Sequence, residues 1–224
     1  MLYEKEQLNV SSTKVKICGI TNLDDGLYAI ELGCDALGFN FYDKSKRYIT
    51  PKAAAEIIGQ LSGDICMIGV FVNANLKEIE QITNICKLDA VQLHGDETAE
   101  FCLSVKELGL RVIKAVRVKE KADIERILKY PTDEVLLDAY STKDLGGTGE
   151  KFNWDWVKDF VGEKIYLAGG VNPDNIEEVL KLGVYGIDVC SGVEKSPGMK
   201  DHEKMKNLFE QINNNTSAKT SQSL

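Results

Sequence analysis

Two side chains in this sequence could exchange protons with a bound substrate, and each lies at the end of a short apolar run. Cys18 follows Lys16 by two positions, and a thiol beside a positive charge can serve as a nucleophile or a base when its pKa is lowered. Asp138 closes a run of valine and leucine, where partial burial would raise the pKa of a carboxyl group toward that of a general acid. The simpler interpretations stay open at this point: a small buried cysteine, and an aspartate that caps a turn or a helix.

Two glycine-containing segments toward the C-terminal end of the chain could bind a phosphate group. Gly169 and Gly170 follow one apolar run, and Ser191 and Gly192 follow the next. Glycines let backbone N–H groups approach a phosphate closely, although a single glycine pair also suits a tight turn. Because two such segments follow consecutive runs, we expect a phosphate site here. A further glycine-rich segment, 146–149, is predicted to be a mobile lid.

Arg47 and His94 are further candidates for contact with a ligand. Arg47 lies in a loop of charged residues, which is either solvated surface or the place for a guanidinium that clamps a substrate carboxylate with two parallel hydrogen bonds. His94 follows an apolar run and is either a satisfied polar group or part of the same pocket. Asp188 lies inside a later apolar run, where it could instead anchor a loop or pair with a lysine.

Eight short runs along the chain could position these side chains. Most are nearly unbroken apolar stretches, which is the pattern of strands covered on both faces. The spacing between them leaves room for one crossover helix with its two loops. The predicted strands are 15–18, 36–41, 66–72, 90–93, 111–116, 134–138, 164–168 and 186–190.

The segments between and after these strands carry helical periodicity or capping signals. The predicted helices are 22–32, 51–61, 75–86, 96–108, 121–129, 153–161, 173–182 and 202–212. Eight strands that alternate with eight helices predict an α/β fold, a single-domain (β/α)8 TIM barrel over 14–212. An N-terminal extension, 1–13, and a disordered polar tail, 213–224, would flank it. In such a barrel the chemistry lies at the C-terminal ends of the strands.

Composition argues against several kinds of partner and compartment. Lys and Arg number 27 against 35 Asp and Glu, a net charge of −8, which disfavours nucleic acid or an anionic membrane as a partner. The longest apolar stretch is far shorter than the ~20 residues that span a bilayer. The six cysteines form no Cys-x-x-Cys pair and the histidines number 2, so no zinc site is predicted. Without a signal peptide, a cytoplasmic location with reduced thiols is expected.

Eight segments, in order along nearly the whole predicted barrel, match the motifs of a known family. They are KICGIT (16–21), GFNFYDKSKRYIT (38–50), GVFVN (69–73), VQLHGDE (91–97), LLDAY (136–140), GGTGEKFNW (146–154), LAGGVNPDN (167–175) and GIDVCSGVEKSPGMKD (186–201). In this combination the chain resembles the phosphoribosylanthranilate isomerase family of tryptophan biosynthesis. The resemblance implies an Amadori rearrangement of N-(5-phosphoribosyl)anthranilate to 1-(2-carboxyphenylamino)-1-deoxyribulose 5-phosphate. It implies no metal or organic cofactor, a phosphorylated small molecule as the partner, and a monomer or homodimer.

The resemblance also assigns roles to the candidate residues. It implies that Cys18 is the general base, that Asp138 is the general acid and that Arg47 holds the anthranilate carboxylate. The implied phosphate ligands are Gly169, Gly170, Ser191 and Gly192. The sequence departs from the family at Lys46, where proline is usual, and at Cys190, where serine is usual.

Three other functions share part of this pattern. The related sugar-phosphate isomerase of histidine biosynthesis would show two catalytic aspartates, whereas Cys18 holds the first of those positions here. Indole-glycerol phosphate synthase would need catalytic lysines at the strand ends. A non-catalytic sensor of a phosphorylated metabolite would keep the glycine segments and lose the acid–base pair, of which both members are present.

Overall fold

The eight predicted strands close into a parallel barrel. The computed structural model describes residues 13–139, 152–160 and 162–221. The strands are β1 (Lys14–Cys18), β2 (Ala36–Asn40), β3 (Cys66–Phe71), β4 (Ala90–Leu93), β5 (Arg111–Val118), β6 (Glu134–Ala139), β7 (Ile165–Leu167) and β8 (Gly186–Val189). Each pairs in parallel with the next, and β8 pairs with β1 to close the ring. The predicted TIM-barrel fold is thereby confirmed.

Most helices begin at a capping residue that the sequence supplies. The helices are α1 (Leu23–Glu31), α2 (Pro51–Ile58), α3 (Leu76–Cys86), α4 (Ala99–Lys106), α5 (Lys121–Ile127), α6 (Ile176–Leu180) and α7 (His202–Ser221). The side chains of Asn22, Thr50, Asn75 and Thr98 each accept a hydrogen bond from a backbone N–H in the first turn that follows. Such caps satisfy donors that a helix start leaves unpaired.

Two of the predicted helices differ from the structure. The segment 153–161 was expected to be an α-helix, but it contains a 3-10 helix over Trp154–Phe160. That helix buries Trp154 and Val157, and three residues per turn place this pair on one face against the barrel. The last helix, α7, continues through Ser221 instead of ending at Ile212, because no glycine or proline interrupts it.

The predicted flanking segments are tested only in part. The expectation of a disordered tail over 213–224 was wrong for 213–221, which are helical. Residues 222–224 and most of the predicted N-terminal extension, 1–12, lie outside the described residues, as does the predicted lid at 146–149.

A small hairpin between β8 and α7 was not predicted. It follows a short 3-10 helix over Ser191–Val193 and consists of β9 (Glu194–Ser196) and β10 (Met199–Lys200). The hairpin brings two buried charged side chains, Glu194 and Lys200, to the C-terminal end of the barrel.

Alternate strand positions fill the inside of the barrel. This inner core consists of Ala36, Ile68, Ala90, Ile113, Ala115, Leu136, Tyr166 and Ala168, while a larger apolar core lies between the strands and the helices. Because side chains alternate along a strand, Gln92 and Asp138, each two residues after an inner-core residue, face the same interior nearer its C-terminal end. The inner core is therefore an apolar floor beneath polar side chains. No helix in the described ranges is both long and apolar enough to traverse a bilayer.

Candidate active site

A cavity opens at the C-terminal ends of the strands, the end at which barrels of this kind bind small molecules. It gathers seven of the residues predicted from the sequence. They are Cys18, Arg47, His94, Asp138, Gly169, Gly170 and Ser191. Gly192 is the exception, since its Cα packs against the loop after β7: an added Cβ would lie 2.0 Å from the carbonyl oxygen of Val171.

Lys16 is a fully buried cation inside the barrel, next to Cys18. Its Nζ donates a hydrogen bond of 2.8 Å to Oδ1 of Asp188. Burial by itself lowers the pKa of Lys16, but the negative charges of Asp188 and Cys18 outweigh it and raise that pKa, so the ammonium stays charged. Of the interpretations open for Asp188, pairing with a lysine is the one that the structure confirms.

The Cys18 thiol lies in an environment that favours its thiolate. A hydrogen bond from the Cys190 thiol is the largest influence, and the positive charges of Lys16 and Lys200 add to it against the effect of burial. Together they hold the pKa of Cys18 well below its usual value. For Asp188, burial is the largest influence and raises its pKa to about 6. Cys18 is thus a thiol that can be ionised at neutral pH, as a general base requires.

Asp138 faces His94, which in turn contacts Gln92. The Oδ1 atom of Asp138 accepts a hydrogen bond of 2.9 Å from the backbone N–H of Ala139, and its Oδ2 atom lies 3.3 Å from Nε2 of His94. The Nδ1 atom of His94 is 2.8 Å from Nε2 of Gln92. With the Gln92 amide nitrogen as the donor, Nδ1 of His94 is the acceptor, and Nε2 is the ring nitrogen on the Asp138 side.

Arg47 is held in place by a buried carboxylate. Its Nε and Nη2 donate to Glu194 over 2.9 and 2.7 Å, and Nζ of Lys200 lies 3.1 Å from the same carboxylate. Burial raises the pKa of Glu194, but Arg47 and Lys200 outweigh it and hold this pKa below its usual value. Within the described chain, the Nη1 edge of Arg47 takes no part in these contacts, which leaves two N–H groups on that side for a ligand.

The loop after β7 comes close to Asp138. Gly169 and Gly170 both have a φ of +76°, a region that L side chains rarely adopt. An added Cβ at Gly169 would lie 3.0 Å from Oδ1 of Asp138. The side-chain amides of Asn172 and Asn175 donate to the carbonyl oxygen of Gly170 over 3.0 and 2.8 Å, so the loop is fixed beside the cavity.

Comparison with known proteins places the chain in a family. A family model described as N-(5'phosphoribosyl)anthranilate (PRA) isomerase matches residues 15–211. The chain belongs to the phosphoribosylanthranilate isomerase family. One phosphoribosylanthranilate isomerase, from Geotalea uraniireducens, is 52% identical over 201 residues, which cover 88% of this chain and 97% of the relative.

Solved structures of phosphoribosylanthranilate isomerases match the whole barrel. The structure from Thermotoga maritima superposes with a TM-score of 0.85 at 40% identity and covers 90% of this chain and 99% of that one. Another, with a TM-score of 0.81 at 39% identity and the same coverage of 90% and 99%, is a complex with reduced 1-(o-carboxyphenylamino)-1-deoxyribulose 5-phosphate.

Three side chains that contact site residues were not predicted from the sequence. Glu194 and Lys200 lie in the segment 186–201 and Gln92 lies in the segment 91–97, both of which carry the family resemblance. Their charge or polarity gave no sign of burial. The available signal for Gln92 was its phase, since it lies two residues before His94 in a strand of otherwise apolar residues.

Proposed function

We propose that this chain converts N-(5-phosphoribosyl)anthranilate into 1-(2-carboxyphenylamino)-1-deoxyribulose 5-phosphate by general acid–base catalysis. The single observation that carries this proposal is that Cys18 and Asp138 line one cavity from β1 and β6, with a buried lysine beside the thiol. Membership of the isomerase family supports the same reaction.

The first step opens the ribose ring. A protonated Asp138 gives its proton to the ring oxygen as the bond from that oxygen to C1 breaks, and the anthranilate nitrogen supplies the electron pair that forms an iminium at C1. His94 faces the same carboxyl group and steadies the carboxylate that this transfer leaves behind.

The second step moves a proton from carbon. The iminium makes the hydrogen on C2 acidic, and the Cys18 thiolate removes it to form an enolamine. Lys16, whose ammonium is fixed by Asp188, favours the thiolate before the transfer. The enolamine then takes a proton at C1, and loss of the proton from the C2 hydroxyl gives the ketone. All atoms are conserved, so the reaction consumes no oxidant.

The two anionic ends of the substrate are proposed to bind different loops around the cavity. The loops after β7 and β8, with Gly169, Gly170, Ser191 and Gly192, are the proposed phosphate site. The Nη1 edge of Arg47 is the proposed clamp for the anthranilate carboxylate. His94 lines the cavity between Asp138 and Gln92 and is proposed to contact the substrate as well.

The proposal is tested by a fluorescence assay that follows consumption of freshly made phosphoribosylanthranilate. Cys18→Ala and Asp138→Asn should each lower kcat roughly 100-fold or more, the usual contribution of a general acid or base, while phosphate still binds. The matched control is Cys66→Ala. Cys66 is the first residue of β3 and lies at the end of the barrel away from the cavity, so this variant should keep its activity. Near-normal turnover in either active-site variant would remove the assigned roles.

The expectations about location, oligomeric state, partners and metal dependence also belong to this proposal. We infer that the protein acts in the cytoplasm as a monomer or homodimer, on a phosphorylated small molecule, and without a nucleic-acid partner. Because both steps are proton transfers, activity is expected to survive treatment with EDTA, and its loss would contradict a reaction without a metal.

A further inference from the structure

We propose that Cys18 and Cys190 are a site of reversible oxidation, at which a disulfide between β1 and the end of β8 switches the enzyme off. The switching effect rests on the proposed role of Cys18 as the base. Formation of the disulfide itself depends only on the geometry of the two thiols.

The barrel closure brings the two cysteines side by side. Strands β1 and β8 pair in parallel with Lys16 opposite Asp188 and Ile17 opposite Val189, and Cys18 and Cys190 are the residues that follow the last of these pairs. Adjacent strands lie about 4.8 Å apart, and Cα atoms joined by a disulfide are usually separated by about 4.4–6.8 Å. The Cys190 sulfur also reaches the residue that follows Cys18, since a Cβ added at Gly19 would lie 3.1 Å from Sγ of Cys190.

The two sulfur atoms also share a route to small reagents. Both cysteines line the active-site cavity, so a small oxidant that enters the cavity can meet either thiol. The Nζ atom of Lys200 lies 3.9 Å from Sγ of Cys190, and Lys16 lies next to Cys18. These cations stabilise a thiolate in the pair, which is the form that reacts with peroxides.

Disulfide formation needs an attacking thiolate and a resolving thiol, and the two cysteines differ in the way that these roles require. The hydrogen bond between the sulfurs holds the pKa of Cys18 low and that of Cys190 high, so Cys18 is the attacking thiolate and Cys190 the resolving thiol. Burial raises the pKa of each of the other cysteines. Those four, Cys34, Cys66, Cys86 and Cys102, are accordingly poor nucleophiles at neutral pH.

The oxidant is a peroxide, and the reaction balances in two steps. The Cys18 thiolate attacks one peroxide oxygen, the O–O bond breaks, and the departing oxygen leaves as water after it takes a proton, so that Cys18 becomes a sulfenic acid. The Cys190 sulfur then attacks the Cys18 sulfur, the S–O bond breaks, and a second water leaves. Two thiols lose two electrons in total. A dithiol reductant reverses the change by thiol–disulfide exchange.

Once linked, the Cys18 sulfur can no longer accept the proton from C2 of the substrate. The wild-type protein should therefore lose activity roughly 100-fold on treatment with hydrogen peroxide, the scale of a general base, and should regain it with dithiothreitol. Peptide mass spectrometry without reduction should find the Cys18 and Cys190 peptides joined, with the loss of two hydrogen atoms.

Cys190→Ser is the decisive variant, because its hydroxyl can still donate a hydrogen bond to Cys18 while it cannot form a disulfide. Measured against its own untreated sample, it should be inactivated by peroxide through oxidation of Cys18 to sulfinic acid, and dithiothreitol should not restore it. Cys66→Ser, at the opposite end of the barrel, should behave like the wild type.

Two results would overturn the proposal. One is oxidation of Cys18 to sulfinic acid in the wild type with no joined peptide, and the other is equal recovery of activity in Cys190→Ser and the wild type. A joined peptide in a protein that never shows isomerase activity would uphold the disulfide and refute the proposed function. A joined peptide with full activity would refute the switch and the role of Cys18 as the base.

Discussion

The Arg47 guanidinium and the Glu194 carboxylate form a two-pronged ion pair, with Nε and Nη2 of Arg47 donating over 2.9 and 2.7 Å. Only 12% of the Arg47 side chain and 4% of the Glu194 side chain are exposed. A geometry with two parallel hydrogen bonds leaves the planar guanidinium a single orientation. Glu194 therefore determines which edge of Arg47 a substrate can reach.

Glu194→Gln is expected to raise KM roughly tenfold and to change kcat much less, because Arg47 loses its fixed orientation and binding weakens. Steady-state kinetics in the fluorescence assay measures both constants, and the exposed Glu163→Gln serves as the control. If Glu194 acts through Arg47, adding Glu194→Gln to Arg47→Ala should raise KM no further. Additive effects in that double variant would refute the positioning role.

The stability of the protein should depend on Glu194 at acid pH. The pKa of Glu194 is lowered in the folded state, so its carboxylate contributes stability that is present above the unfolded pKa of about 4.3. This contribution is lost as the pH falls through the folded pKa. Urea unfolding between pH 3 and pH 7 should show a flatter acid limb for Glu194→Gln than for the wild type, and parallel curves would contradict the prediction.

Lys16 is expected to set the pH at which Cys18 becomes active. Replacing Lys16 with Met alone would leave Asp188 buried without its partner, so the informative variant is Lys16→Met with Asp188→Asn. Loss of the ammonium should raise the pKa of Cys18, and the acid limb of kcat/KM should move to higher pH. Alkylation of Cys18 by iodoacetamide should slow at neutral pH to the same extent. An unchanged limb would refute the electrostatic role.

Gln92 is expected to act on the rate through His94. Gln92→Leu removes the donor to Nδ1 of His94, so the ring is free to place its proton on either nitrogen. A net hydrogen bond is worth about 1 kcal/mol, and kcat should fall roughly fivefold with little change in KM. The control is Gln81→Leu on the exposed face of α3. A lowered melting temperature with an unchanged kcat would refute the role of Gln92 in catalysis.

Gly192 is expected to tolerate no side chain. Because an added Cβ would lie 2.0 Å from the carbonyl oxygen of Val171, Gly192→Ala should force the loops after β7 and β8 apart. The expected loss of stability is about 1–3 kcal/mol, with weaker binding of phosphate measured by calorimetry. Gly26→Ala is the control, since its added Cβ has no neighbour closer than 3.4 Å. Equal stability of the two variants would contradict the predicted clash.

The strands could be predicted because their signal is local. Segments such as 66–71 and 135–137 are apolar without a charged residue, as strands buried on both faces require. The two predicted helices that differ from the structure, 153–161 and 202–212, do so for local reasons as well. The segment after the predicted lid packs Trp154 and Val157 at a spacing of three, which suits a 3-10 helix, and the polar residues after Ile212 lack an apolar face while they also lack a breaker.

The sequence by itself determined the barrel, the strand ends that carry Cys18 and Asp138, and the loop that carries Arg47, because buried parallel strands and family motifs both consist of consecutive residues. Only the tertiary structure decided that Glu194 holds Arg47 and that Cys190 lies against Cys18. These partners are 147 and 172 positions apart along the chain. Contacts between such residues arise from closure of the ring and from its strand register, which no local pattern encodes.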